Sequence, residues 1–148
     1  MKVIVIDGQG GRMGRAVVEQ LKSVCPELPI LAIGTNSTAT AAMLKAGADA
    51  AATGENPVIV ASRDADLIIG PIGIVIADSM LGEITPAMAS AVGSSGAHKI
   101  LIPVSNYRFC KHTLVGCGDQ PMGNYIKMVG EEVLKFIHKD YVHNKKQQ

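Results

Sequence analysis

The stretch Val3-Ile4-Val5-Ile6-Asp7-Gly8-Gln9-Gly10-Gly11-Arg12-Met13-Gly14-Arg15-Ala16-Val17-Val18 decides the fold. Its first part is an unbroken aliphatic run with no polar alternation, which predicts a strand buried on both faces at the centre of a parallel sheet. A glycine turn follows. From Gly11 to about Val24, the residues Met13, Val17, Leu21 and Val24 share one face, and Arg12, Arg15, Glu19 and Lys22 occupy the other, so the turn leads into an amphipathic helix. Pro26 ends it.

The same strand and helix alternation extends along the chain. A second strand is expected over Ile30 to Gly34 and a helix over residues 38–46, with Thr35-Asn36-Ser37-Thr38 supplying a cap and Gly47 the stop. Ala48 to Ala52 reads as a short third strand. Thr53-Gly54-Glu55-Asn56-Pro57 reads as an interruption, and Val58 to Ala61 as either another short strand or a helical lead-in. Asp66 to Gly70 is a further strand, followed by a helical turn over 74–80 and a longer helix over 84–94 with Thr85 as cap and Pro86 at its first position. Lys99 to Val104 is a strand, Thr113 to Gly116 a short closing strand, and residues 122–140 a sheet-packing helix with Ile126, Val129, Val133 and Ile137 on one stripe. This order selects an α/β class: a three-layer doubly wound Rossmann-like fold with a mostly parallel sheet of five or six strands. One domain over residues 1–140 and a basic tail over 141–148 are expected.

Composition agrees and narrows the function. The chain has 148 residues, 47% hydrophobic and 18% charged, with 16 glycines and no tryptophan, so its core is aliphatic and closely packed. A formal charge of +1 gives no broad footprint for nucleic acid. The apolar run Val3–Ile6 stops at Asp7, too short for a signal peptide or a membrane span. Cys25, Cys110 and Cys117 form no CxxC pair and fit a reducing cytoplasm. Cys110 and Cys117 are read as buried small hydrophobes in preference to redox groups. The histidines lack zinc-ligand spacing, and no metal is expected.

Gly8-x-Gly10-x-x-x-Gly14, with Gly11 added, is a spaced variant of the dinucleotide fingerprint. Gly8 lets the chain turn, Gly10 or Gly11 lets backbone approach a pyrophosphate, and Gly14 lets the helix lie close to the sheet, while amide groups at the helix start face the phosphates. Gly8, Gln9, Gly10, Gly11, Arg12, Met13 and Gly14 are therefore the cofactor-binding residues, joined by Thr35, Asn36 and Ser37 at the end of the second strand and Gly70, Pro71, Ile72 and Gly73 at the end of the fourth. Thr35 to Ser37 are equally explained as a helix cap. The second strand ends without the Asp or Glu that holds a ribose 2′-OH in NAD enzymes, and Arg12 or Arg15 offers positive charge, so NADP is favoured over NAD. Asp78, Ser79 and Glu83 read as solvent-facing in preference to substrate-facing, and Glu55 and Asn56 as an ordinary polar turn or a loop over the cleft. Ser105, Asn106, Tyr107 and Arg108 fall at a ligand-facing edge, with Arg108 read first as a surface arginine.

Gly8-Gln9-Gly10-Gly11-Arg12-Met13-Gly14-Arg15 resembles the nucleotide-binding half of the dihydrodipicolinate reductases, Rossmann enzymes that use NADH or NADPH. The resemblance covers residues 1–24 and implies a place beneath the pyrophosphate for Gly11 to Gly14. The substrate domain of those enzymes, with its paired histidines, has no counterpart here, so their activity does not transfer. At Asp7 to Gly11, Gly34-Thr35-Asn36, Ala42 to Ala48, Ala52 to Asn56 and Gly70 to Val75, the chain resembles over nearly its full length a family of small uncharacterised Rossmann-like bacterial proteins, a domain of unknown function. The expectation is an NAD(P)- or related nucleotide-binding protein, a sensor or binding module, with a small nucleotide as partner and a homodimer as an open alternative in which a second subunit completes the cleft. The alternatives are a small NAD(P)-dependent oxidoreductase, whose acid or base the sequence does not supply, and a structural Rossmann-like protein without ligand. Whether the chain is an enzyme is left open.

Overall fold

The computed structural model describes residues 1–104, 112–118 and 120–145, with residues 140–145 described by backbone alone. Five parallel strands, β1 (Val3–Asp7), β2 (Ile30–Gly34), β3 (Ala50–Thr53), β4 (Leu67–Pro71) and β5 (His98–Ile102), lie in the order β3-β2-β1-β4-β5. Helices α1 (Arg12–Val24), α2 (Ser37–Lys45) and α5 (Met122–Lys145) cover one face, and α3 (Glu55–Ser62) and α4 (Pro86–Ser94) the other. This is the expected three-layer, doubly wound, Rossmann-like architecture. The period of two along each strand divides the core: Val3, Val5, Leu67 and Ile69 face α1 and α5, whereas Ile4, Ile6 and Ile68 face α3 and α4. All seven are buried, the property of a strand pair covered on both sides.

Several boundaries differ from expectation for local reasons. Residues 55–62 form α3 and not a strand: Gly54 takes φ 102 as the cap, Glu55 opens the first turn, and Pro57 falls in that turn, where its missing N–H has no helical partner to lose. The helical turn expected at 74–80 is two 3₁₀ turns, Ile72–Val75 and Met80–Gly82. β5 ends at Ile102, before Pro103. Thr113 to Gly116 is not a strand; Val115 and Gly116 turn, with Gly116 at φ 86. α5 continues to Lys145, into the stretch read as a tail. Asn36 and Thr85 cap α2 and α4, accepting from Ala39 N and Met88 N. Among the described residues no helix is long and apolar enough to cross a membrane.

Two glycines fix how α1 meets its neighbours. Gly11, the cap of α1, has φ 68, and a Cβ there would lie 2.6 Å from the Ala39 Cα of α2. At Gly14 a Cβ would lie 2.5 Å from Met43 Sδ and 2.7 Å from Asp7 Cβ. Gly10 is different: its φ is ordinary and a Cβ would meet nothing nearer than Arg12 Cγ at 4.0 Å. Gly11→Ala should therefore cost at least about 2 kcal/mol, since the left-handed backbone alone costs ~1–2 kcal/mol and a backbone clash is added. Gly10→Ala should stay within about 0.5 kcal/mol of the parent. Urea unfolding of the two variants measures the contrast, and equal losses would contradict it.

Candidate functional site

The chain leaves β1 toward the α1 face and leaves β4 toward the opposite face, so a crevice opens between the carboxyl ends of these adjacent strands, the usual ligand position of an open α/β sheet. A cleft of about 730 Å³ occupies it. One wall is the turn Asp7 to Met13; the other is Ile72, Gly73 and the segment Ile76 to Leu81 with Glu83, while Val104 and His112 also contribute.

The turn is organised by Asp7. Buried at the end of β1, its Oδ1 accepts from Gly8 N at 2.8 Å and its Oδ2 from Gly14 N at 2.6 Å. These bonds cap α1 from outside, because Gly11 has no side chain to do so. Gly11 N donates to Gly8 O. The amides of Gly10 and Arg12 have no partner among the described residues, and neither does the exposed Arg12 guanidinium. Arg15 is engaged elsewhere, on Glu19 at 2.8 Å. Burial pushes the Asp7 carboxyl above its ordinary value and the nearby Glu83 charge adds to this, while the amide bonds of Gly14 and Gly8 oppose it.

The opposite wall is a tightly bonded loop. Asp78 N donates to Ile84 O, Gly82 N to Ser79 O, Glu83 N to Met80 O, and Ser79 Oγ to Gly73 O. Gln9, Asp78, Met80 and Leu81 have φ of 49, 61, 54 and 58, the positive-φ non-glycine residues among those described, and all of them line the cleft. Such backbone is uncommon and collects at functional sites. From this loop Glu83 reaches the turn: Oε2 accepts from Gln9 N at 3.0 Å, and Oε1 accepts from Thr35 Oγ1 at 3.0 Å and Asn36 Nδ2 at 2.6 Å. Asn36 Nδ2 also donates to Gln9 O at 2.9 Å.

Of the residues singled out by sequence, Gly8, Gln9, Gly10, Gly11, Arg12, Met13, Ile72 and Gly73 come together around the cleft. Gly14 packs behind the turn, and Gly70 and Pro71 lie within β4, where a Cβ at Gly70 would stand 2.4 Å from Ile6 O of β1. Thr35 and Asn36 stand behind Glu83, and the exposed Ser37 begins α2 outside the lining. Asp78, Ser79 and Glu83, read as solvent-facing, instead line the cleft. Glu55 accepts from the Thr85 hydroxyl, away from the cleft. Cys117 is exposed, not buried. Ser105, Asn106, Tyr107, Arg108 and Cys110 lie outside the described residues. Among the described residues no cluster of His, Cys, Asp or Glu is placed to hold a metal. Sequence reasoning missed Asp7, Met80, Leu81 and His112. The His112 ring lines the cleft and its buried Nε2 has no hydrogen-bond partner among the described residues. An acidic residue closing an aliphatic strand immediately before glycine was the available signal for Asp7.

Residues 2–138 match the family described as Domain of unknown function (DUF3842). The chain belongs to this family. No curated protein matches it by sequence. Among solved structures, this DUF3842 chain is similar to a dodecameric FMN-dependent UbiX-like decarboxylase from Escherichia coli O157:H7, with a TM-score of 0.51 and 16% identity over 93% of this chain and 95% of that one. At that identity the likeness is one of fold.

The position of Asp7 in the DUF3842 turn makes stability depend on pH in a definite direction. Its folded value lies above the ordinary 3.8, so the stability carried by its protonated form is fully present below that value and is lost as pH rises through the raised one. Compared with Asp7→Asn, the parent should gain stability as pH falls from about 7 toward about 4. Urea unfolding of both proteins across that range tests this, and a difference independent of pH would refute it.

Proposed function

We propose that the chain is a nucleotide-binding protein, and that NAD, NADP or a related nucleotide lies in the cleft with a phosphate over the turn Gly8 to Gly14. The observation that carries this reading is the cleft at the β1–β4 crevice, bordered by the unpartnered amides of Gly10 and Arg12 and by the Arg12 side chain. Backbone N–H groups at a helix start and a neighbouring guanidinium are the chemistry that holds a phosphate. Met13, Ile72, Ile76, Met80 and Leu81 offer apolar surface for a flat ring. The resemblance of Gly11-Arg12-Met13-Gly14 to the reductases supports a pyrophosphate there. The UbiX-like decarboxylase of similar fold is FMN-dependent, which makes FMN the competing ligand for the same donors.

A second reading, a small oxidoreductase, draws on His112. Its unpartnered Nε2 at the cleft gives the site a group able to exchange a proton with a substrate. A bound nicotinamide would supply the hydride chemistry, and the protein its orientation. The binding reading ranks first because it needs only the turn and the cleft.

Calorimetric titration with NAD, NADP, FMN and ATP tests the reading. One of them should bind with a Kd of about 1 µM, roughly 8 kcal/mol. Gly10→Leu should remain folded, since its side chain projects into open space, and should abolish that binding. Arg12→Ala should weaken it by about tenfold, the loss of one charge-assisted bond of ~1.5 kcal/mol. Absence of binding by every nucleotide, or full affinity in Gly10→Leu, would overturn the assignment.

A further inference from the structure

The end of β2 lacks a carboxylate in sequence but not in space. Glu83, from the segment after β4, places its carboxylate against Thr35 and Asn36, the two residues that follow β2. Its two oxygens are unequally engaged. Oε1 accepts from the Thr35 hydroxyl and the Asn36 amide and lies 3.2 Å from Gln9 N, whereas Oε2 accepts, among the described residues, only from Gln9 N, at 3.0 Å. Glu83 lines the cleft, while Thr35 and Asn36 do not. A ligand reaching this edge therefore meets a fixed carboxylate with lone pairs to spare, and the hydroxyl and amide donors behind it are already occupied.

We propose that Glu83 is the ribose-binding carboxylate of this site, selecting a nucleotide with a free 2′,3′-diol and rejecting one that carries a 2′-phosphate. This rests on the nucleotide reading above and specifies its ligand class. Ribose hydroxyls are donors matched to a carboxylate acceptor. A 2′-phosphate is an anion set against an anion, with neither Thr35 nor Asn36 free to compensate. The charge of the whole cleft points the same way. Asp7, Asp78 and Glu83 line it against Arg12 as the lone arginine or lysine among the described lining residues. Arg15, the other cation of the turn, is paired with Glu19. Arg12 can serve one phosphate group of the pyrophosphate, and among the described residues no second cation is placed for a 2′-phosphate. The fixed orientation of Glu83 matters as much as its charge, because Thr35, Asn36 and Gln9 hold it from three directions and it needs no reorganisation on binding.

Calorimetric titration of the full chain and of Glu83→Gln with NAD and NADP, with far-UV circular dichroism as a check on folding, decides the matter. The parent should bind NAD tighter than NADP by about tenfold or more, the scale expected for juxtaposed like charges at a partly exposed site. Glu83→Gln should bring the two affinities within about threefold of each other, through weaker NAD binding and stronger NADP binding. Thr35→Val, which removes only the hydroxyl that orients Oε1, should narrow the ratio in the same direction. It supplies the comparison if Glu83→Gln does not fold. A parent that binds NADP as well as or better than NAD overturns the proposal while leaving the nucleotide reading standing, as does an NAD preference that survives in a folded Glu83→Gln. Binding of FMN alone, or of no nucleotide, overturns it together with the dinucleotide assignment.

Discussion

A carboxylate buried where a strand ends and a helix begins has to be matched by donors, and Asp7 obtains them from backbone N–H groups of the turn itself. Gly8 and Gly14 donate to its two oxygens. The helix α1 has no acidic residue in its first turn and no capping side chain at Gly11, so Asp7 supplies both the missing cap and a negative charge at the positive end of the helix dipole. This fixes the distance between β1 and α1. Once that distance is set, position 14 has no room for a Cβ, with Asp7 on one side and Met43 on the other. The glycine spacing therefore has a structural cause that operates before any ligand is present.

The same bond pattern determines what the site can still offer. Asp7 occupies the Gly14 amide, whereas the Gly10 and Arg12 amides and the Arg12 guanidinium have no partner among the described residues. Glu83 further occupies the Gln9 amide. Two carboxylates thus stand close to the turn, and the Glu83 charge adds to burial in raising the cost of charging Asp7. On the proposed nucleotide reading, the ligand presents one phosphate to the Gly10–Arg12 side and neutral or hydroxyl-bearing groups elsewhere.

The strands and the outer caps were legible because their signals are local. Val3 to Ile6 and Leu67 to Ile69 are aliphatic throughout, as strands covered on both faces must be, and Asn36 and Thr85-Pro86 act within one turn of their own position. The start of α3 was hidden because Gly54 and Pro57, which ordinarily break a helix, here initiate one. The loop 76–84 was hidden for a different reason: Met80 and Leu81 carry no residue-type signal for left-handed backbone, yet both adopt it. The bond between Thr35 and Glu83 joins residues 48 apart. A charge inventory restricted to the end of β2 misses this carboxylate, which only the fold of the loop brings beside Thr35 and Asn36.

Left-handed backbone at Asp78, Met80 and Leu81 costs of the order of 1 kcal/mol at each residue. Leu81, 71% exposed, offsets little of this, whereas Ile84 is buried in the core and Met80 packs against it. Polar bonds add to that hold. Ser79 ties it to Gly73, the internal 3₁₀ bonds close it on itself, and Glu83 joins it to Gln9, Thr35 and Asn36. The shape of the outer wall of the cleft therefore depends in part on a carboxylate that lines it. Gln9, strained on the opposite wall, receives its restraint from Glu83 as well. Strain on both sides of the cleft is thus supported through one side chain, so a group that binds Glu83 in place also holds the two walls at the separation that admits it.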